Sequence, residues 1–235
     1  MHPAFAALHN FSVSKAHKTQ LRLSQKIIAE DRLPPKIKRV AGVDVAYTDE
    51  AAVSAVAVLD FESLELLEWQ TAMVKVKFPY IPTLLSFREL PAAVACIKKL
   101  RLQPDVFLAD GQGIAHPYGC GFASHLGLAL GKPTIGVAKS RLVGEPTAMA
   151  GRVFLVQNGQ IIGAVVTTKV GVKPVYVSVG HLISLETAVK IAKQCVRNSR
   201  IPEPILQAHK IASEERRKVQ PPRGNHVETA NRKAL

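Results

Sequence analysis

Residues 105–139, DVFLADGQGIAHPYGCGFASHLGLALGKPTIGVAK, constrain the fold most strongly. Val106 to Ala109 is an apolar run ending at Asp110 and Gly111, the pattern of a buried strand closed by a turn. Pro133 to Val137 reads as a second strand, and Gly121 to Leu130 between them is helical in pattern. Strand, helix and strand at this spacing predict a β-α-β unit with parallel strands. Ligand chemistry in such sheets collects at the carboxyl ends of the strands, which makes Asp110 a candidate metal ligand. The alternative is an aspartate that caps the following turn.

Upstream, Ser14 to Glu30 places Leu21, Leu23, Ile27 and Ile28 among Lys15, Lys18, Arg22 and Lys26, as in an amphipathic basic helix stopped by Pro34-Pro35. Arg39 to Tyr47, Val53 to Asp60 and Leu64 to Val76 read as strands of an antiparallel meander, with a polar turn at Glu62 and Ser63. Lys77 to Pro82, KFPYIP, interrupts the pattern, and Ala92 to Leu100 reads as a helix with basic residues near its end. Downstream, Arg152 to Gln157 and Ile161 to Thr168 predict a hairpin turning at Asn158-Gly159. A strand at Val175 to Val179, a helix at Leu185 to Val196 and a helix begun by Pro204 follow. The order β-β-β-α-β-α-β is that of an α/β, ribonuclease H-like mixed sheet, three antiparallel then parallel strands flanked by helices. We expect a single domain over residues 1–215 and a basic, mobile tail over 216–235, which holds Pro221-Pro222.

The balance of 31 Lys+Arg against 18 Asp+Glu gives a net charge of +13, which favours polyanions and nucleic acid above all. With 47% hydrophobic and 21% charged residues the chain is of globular composition. No apolar run is long enough to span a bilayer, and residues 1–20 lack a signal-peptide core. Cys96, Cys120 and Cys195 are far apart and odd in number, which argues against a zinc knuckle or disulfide framework and for a reducing, cytoplasmic setting.

Asp44 sits between Val43 and Val45 in an apolar strand, where a carboxylate is costly unless paired, hydrogen-bonded or bound to metal. If its strand lies beside that of Asp110, the two acids meet, and a divalent cation would relieve their repulsion. The alternative is an aspartate satisfied by backbone or by Arg39. Glu89 is the third candidate. Ser86 to Glu89 matches a capping box, but Pro91 would then fall inside the helix, so helix entry at Pro91 fits better and leaves Glu89 just outside. Oxygen ligands suit Mg²⁺, with Mn²⁺ as a substitute, rather than zinc. His116 and His181 fall in expected loops, and His209 on a helix from which it can reach a phosphate. A lone histidine is usually a surface or core residue, and that is the alternative for each. GQGIAH lacks the third glycine of a dinucleotide loop, and GLALGK is too short for a P-loop.

Together AGVDVAY (41–47), PYIP (79–82), LSFRELPA (85–92), DGQGIAHP (110–117), ASHLGL (123–128), PTIGVAKSRLVG (133–144), GH (180–181) and IPEP (201–204) resemble the endonuclease V family, in the family's order. The resemblance implies a DNA repair endonuclease that hydrolyses the second phosphodiester bond 3′ to deoxyinosine. It implies that Asp44, Glu89 and Asp110 hold the catalytic cation, that Lys139 lies near the scissile phosphate and that His209 is a fourth member of the site. Pro79, Tyr80, Ile81 and Pro82 would form a strand-separating wedge. Gly111, Gly113, Gly119 and Gly121, with His116, would line the nucleic-acid contact. Two positions depart from the pattern of many bacterial relatives: Gln112 stands where they carry His, and Tyr118-Gly119-Cys120-Gly121 where they carry basic residues. The expected partner is deoxyinosine-containing DNA, with inosine-containing RNA as the alternative substrate and a non-catalytic inosine- or branch-binding module as the alternative class. We expect a monomer without an obligate protein partner and no membrane association.

Overall fold

The structure, a computed structural model, describes residues 12–169 and 171–220. Its strands form one nine-stranded sheet in the order β3-β2-β1-β4-β5-β9-β8-β7-β6. β1 (Arg39–Tyr47), β2 (Ala51–Asp60) and β3 (Leu66–Lys75) are the antiparallel meander. β4 (Val106–Asp110) and β5 (Thr134–Ala138) extend it in parallel from β1, with α2 (Leu85–Ile97) and α3 (Phe122–Leu130) as connections. This is the ribonuclease H-like arrangement. β9 (Val175–His181) joins β5 antiparallel and carries β8 (Gln160–Val166), β7 (Arg152–Gln157) and β6 (Glu145–Met149) beyond it. The expected hairpin turns at Asn158 and Gly159, whose φ values of 50° and 75° suit a tight two-residue turn.

The sheet is apolar on both faces. Val40, Leu108, Ile135 and Val177 face α4 (Leu185–Gln194) and α5 (Glu203–Val219), where Ile191, Ile205 and Ala208 complete one core. Val43, Val56, Phe107 and Ala109 face α2 and α3, where Ala93, Cys96, Phe122 and Leu126 complete the other. Each large aliphatic side chain so buried contributes about 1.5–3 kcal/mol. Among the described residues no helix is long and apolar enough to cross a membrane.

Three expectations are corrected, and one strand is new. α1 runs Val13–Ser24 rather than to Glu30. The chain beyond it pairs with the end of β9 instead, Leu182 donating to the Ile28 carbonyl and Ile28 to His181 Nδ1. α2 begins at Leu85, so Glu89 lies on the helix and Pro91 inside it. The apolar face of Ala92, Ala93 and Cys96 is buried, and that packing offsets the hydrogen bond Pro91 cannot make. β6 escaped sequence reading because every residue in it is exposed, leaving no alternation to see. α5 continues to Val219, with Arg216, Arg217 and Lys218 favourably placed at its carboxyl end. Residues 216–219 are therefore helical, and the rest of the expected tail, residues 221–235, lies outside the described residues.

The seat of α5 depends on Gly42. A Cβ there would stand 2.0 Å from the Pro204 carbonyl carbon and oxygen. The clash is with backbone, so it yields only if α5 moves. We expect Gly42→Ala to lower stability by about 1–3 kcal/mol, the range for overpacking a core. Urea unfolding measures it, and an unchanged midpoint would contradict this seating of α5.

Candidate active site

Pairing between β1 and β4 runs in register to Val43 opposite Ala109. The next residue on each strand is an acid, Asp44 on β1 and Asp110 at the end of β4. Strand alternation turns both toward the α5 face, the face on which Gly42 meets Pro204. From α5, His209 Nδ1 stands 2.7 Å from Asp44 Oδ2. One ligand atom from each of Asp44, Asp110 and His209 lies within 4.8 Å of the others, close enough to share a cation. Lys139, just past β5, pairs its Nζ with Asp110 Oδ2.

Glu89 approaches from α2 and is 7% exposed. It is not part of that three-residue group, yet the group's charges reach it. Burial first, then Asp44 and Asp110, push its carboxyl well above the ordinary carboxylate range, and Arg88 offsets only part of the shift. Asp110 is likewise pushed up by burial and then by Asp44, with Lys139 and His209 pulling the other way. Burial and then Glu89 also raise the Tyr47 phenol. Glu89 Oε2 and the Tyr47 hydroxyl are both buried without a hydrogen-bond partner among the described residues. Crowded acids that resist ionising, a buried carboxylate oxygen left over and one imidazole fit a hard divalent cation. Asp44 and Asp110 would hold it, with His209 beside Asp44 and Glu89 behind them.

Asp110, Glu89 and Lys139 also wall a cavity of about 410 Å³. The loop Tyr80–Thr83 lines it too, as do Gly111, Gly121 and His116. Tyr80 is 70% exposed, so an aromatic ring projects from the rim. His116 accepts from the Tyr118 backbone N–H, and burial pushes it down to about 4, which keeps it neutral at pH 7. The expected glycines divide. Gly111 has room for a side chain at 3.4 Å from Phe122, whereas a Cβ on Gly113 would stand 2.0 Å from the Val179 carbonyl and one on Gly121 2.4 Å from that of Gln112. Gly113 and Gly121 thus let the loop after Asp110 fold onto the protein itself. His181, expected in a loop, ends β9 and is engaged with Ile28 instead. Gln112 donates to the Ser140 carbonyl and ties the loop after β4 to the loop after β5.

Sequence reasoning passed over Tyr47, Ser140, Arg141 and Leu142. The last three line the cavity. The signal was adjacency: Tyr47 is three residues from Asp44 on the same strand, and the others directly follow Lys139.

A family model described as Endonuclease V matches residues 21–210. The Endonuclease V of Thermofilum pendens is 43% identical over 206 residues, which cover 87% of this chain and 89% of that protein. The crystal structure of Streptomyces avermitilis Endonuclease V matches with a TM-score of 0.81 at 37% identity, over 88% of this chain and 94% of that one. Ciona intestinalis Endonuclease V, in complex with a 24mer DNA containing an inosine followed by a ribo-adenosine, matches with a TM-score of 0.79 at 34% identity, over 88% and 98%. The family match spans Asp44, Glu89, Asp110, Lys139 and His209 alike, and the relatives align over nearly their whole length: this chain belongs to the Endonuclease V family.

Proposed function

We propose that the chain is a divalent-metal-dependent DNA repair endonuclease that hydrolyses the second phosphodiester bond 3′ to deoxyinosine and leaves a nick. The observation that carries the reading is the convergence of Asp44, Asp110 and His209 beside a cavity rimmed by Tyr80. A cluster of acids repels phosphate, so a mere binding surface gains nothing from it. The Ciona relative, crystallised with inosine-containing DNA, supports the substrate class.

A divalent cation, Mg²⁺ or Mn²⁺, would supply charge neutralisation for acids and phosphate and make a nearby water more acidic. The remaining work falls to side chains. Asp44, when ionised, accepts from His209 Nδ1 and fixes the ring, so Nε2 is left as an acceptor for a proton from the attacking water. Lys139, 42% exposed at its side chain, is free to turn from Asp110 toward charge growing on phosphoryl oxygens. Pro79, Tyr80, Ile81 and Pro82 would insert beside the lesion, and the cavity lined by Gly111, His116 and Gly121 would take the extruded hypoxanthine. Gly113 would act behind them, seating the loop on β9. Inosine pairs weakly, which lowers the cost of extrusion.

The cation reading has a readout apart from activity. At neutral pH we expect Mg²⁺ or Mn²⁺ to raise the melting temperature, at about 2–4 °C per kcal/mol of binding linkage. Glu89→Gln should melt higher than the wild type in chelator, because it removes a carboxyl whose ionisation folding opposes, and should gain less from the cation. No cation-induced shift in the wild type would count against the metal centre.

Activity is tested with matched end-labelled strands carrying one deoxyinosine or one ribo-inosine, with Mg²⁺ and with chelator. The expected result is Mg²⁺-dependent nicking one nucleotide beyond deoxyinosine, abolished by Asp44→Ala and by Asp110→Ala. Faster cutting of the ribo-inosine strand would instead make the chain an endoribonuclease. Binding of inosine strands without cutting either would make it a binding module.

A further inference from the structure

The loop that carries Tyr80 is anchored at both feet, and only one anchor belongs to the site already described. On the entering side Arg88 donates to the Phe78 carbonyl, and the Phe78 ring stacks on Phe87 with centroids 5.5 Å apart. Both partners lie on α2. On the leaving side Thr83 holds a left-handed backbone, φ 72°, which a threonine adopts only under constraint. α1 supplies part of that constraint. Gln20 Nε2 donates to the Thr83 carbonyl at 2.8 Å and to the Cys120 carbonyl at 3.1 Å. One turn earlier His17 Nε2 meets Thr83 Oγ1 at 3.0 Å, and its ring stacks on Tyr118 with centroids 3.9 Å apart.

Gln20 is fully buried. Both its partners are carbonyls, which only accept, so the amide must present its NH₂ to them. Its Oε1 is thereby left buried without a partner among the described residues. An apolar side chain would fill the same space without that cost. What the amide adds is a bond to each of two loops, the Tyr80–Thr83 loop on one side of the cavity and the 116–121 loop on the other.

Resting on the proposed reading of Tyr80 as a wedge, we propose that Gln20, with His17, is a positioning residue for strand separation. α1 fixes the spacing between wedge and pocket so that the ring enters the duplex where the pocket receives the base. Neither residue touches the acids. Loss of the brace should therefore leave hydrolysis itself intact and penalise only substrates that must first be opened.

The experiment compares single-turnover cutting of one inosine strand, alone and in a duplex, by wild type, Gln20→Met, His17→Phe and Tyr80→Ala. His17→Phe keeps the stack on Tyr118 but loses the Thr83 contact, and it decides the matter if Gln20→Met melts well below the wild type. Expected are single-strand rates within about 2-fold of wild type for Gln20→Met and His17→Phe and duplex rates lowered about 10-fold. Fluorescence of 2-aminopurine opposite the inosine, which reports unstacking, should rise on binding wild type and less with either variant. Equal losses on both substrates, or none on either, would overturn the brace while Tyr80→Ala still loses more on the duplex. A wild type that cuts neither substrate, or a Tyr80→Ala protein that treats them alike, overturns the reading of the site, and the brace falls with it.

Discussion

Electrostatic repulsion between two aspartates on neighbouring parallel strands is the constraint around which the molecule is arranged. Parallel pairing of β1 with β4 sets Asp44 beside Asp110, and no rotamer removes two charges fixed by backbone register. Glu89 sharpens the conflict from the far side of the sheet, in a setting so dry that its carboxyl resists ionising. An apolar core gains nothing from such an arrangement, and breaking up a buried charge cluster normally stabilises a fold. The cluster is intelligible if a cation resolves it. Lys139 relieves part of the charge at Asp110 and His209 hydrogen-bonds Asp44, each held to a single carboxylate oxygen.

Glycines decide how close the supporting elements come. Gly42 stands two residues before Asp44 on the same face and lets the first turn of α5 lie against β1, which brings His209 over Asp44. Gly136 on β5 does the same for the loop after Asp110, since a Cβ there would stand 2.4 Å from the Gly113 nitrogen. The half of the site that carries the acids is thus built on sheet and helix backbone, where positions are set within fractions of an ångström.

How much of this was legible in the sequence follows from how each element is stabilised. β1, β4 and β5 owe their order to burial, so their apolar runs announced them and Asp44 and Asp110 with them. That the acids meet depends on β1 lying beside β4, which the sequence leaves as a condition and the parallel pairing fulfils. Glu89 was found as an acid but misplaced, because Pro91 weighed against a helix locally while the buried face of α2 weighs for it globally. α1 was drawn too long because its last expected turn is claimed by His181 and Leu182, more than 150 residues away in sequence. Among the described residues the only strand β6 pairs with is β7, and pairing leaves no mark on a strand whose residues are all exposed.

The two halves of the site obey different physics. The acids sit on regular elements that hydrogen-bonded ladders hold rigid, whereas the wall carrying Tyr80 is a loop and has no ladder to hold it. On the proposed reading of Tyr80 as a wedge, a loop that offers a 70% exposed aromatic to a duplex loses its advantage if it must be ordered on every encounter. The hydrogen bonds that Arg88 makes at Phe78 and that His17 and Gln20 make at Thr83 supply that order in advance, one through α2 and two through α1. α1 touches none of the acids, so it adjusts the opening of the substrate independently of the chemistry that follows. A helix that sequence pattern marks only as basic and amphipathic therefore has a second, inward task, legible in a buried glutamine whose amide joins two loops 37 residues apart at Thr83 and Cys120.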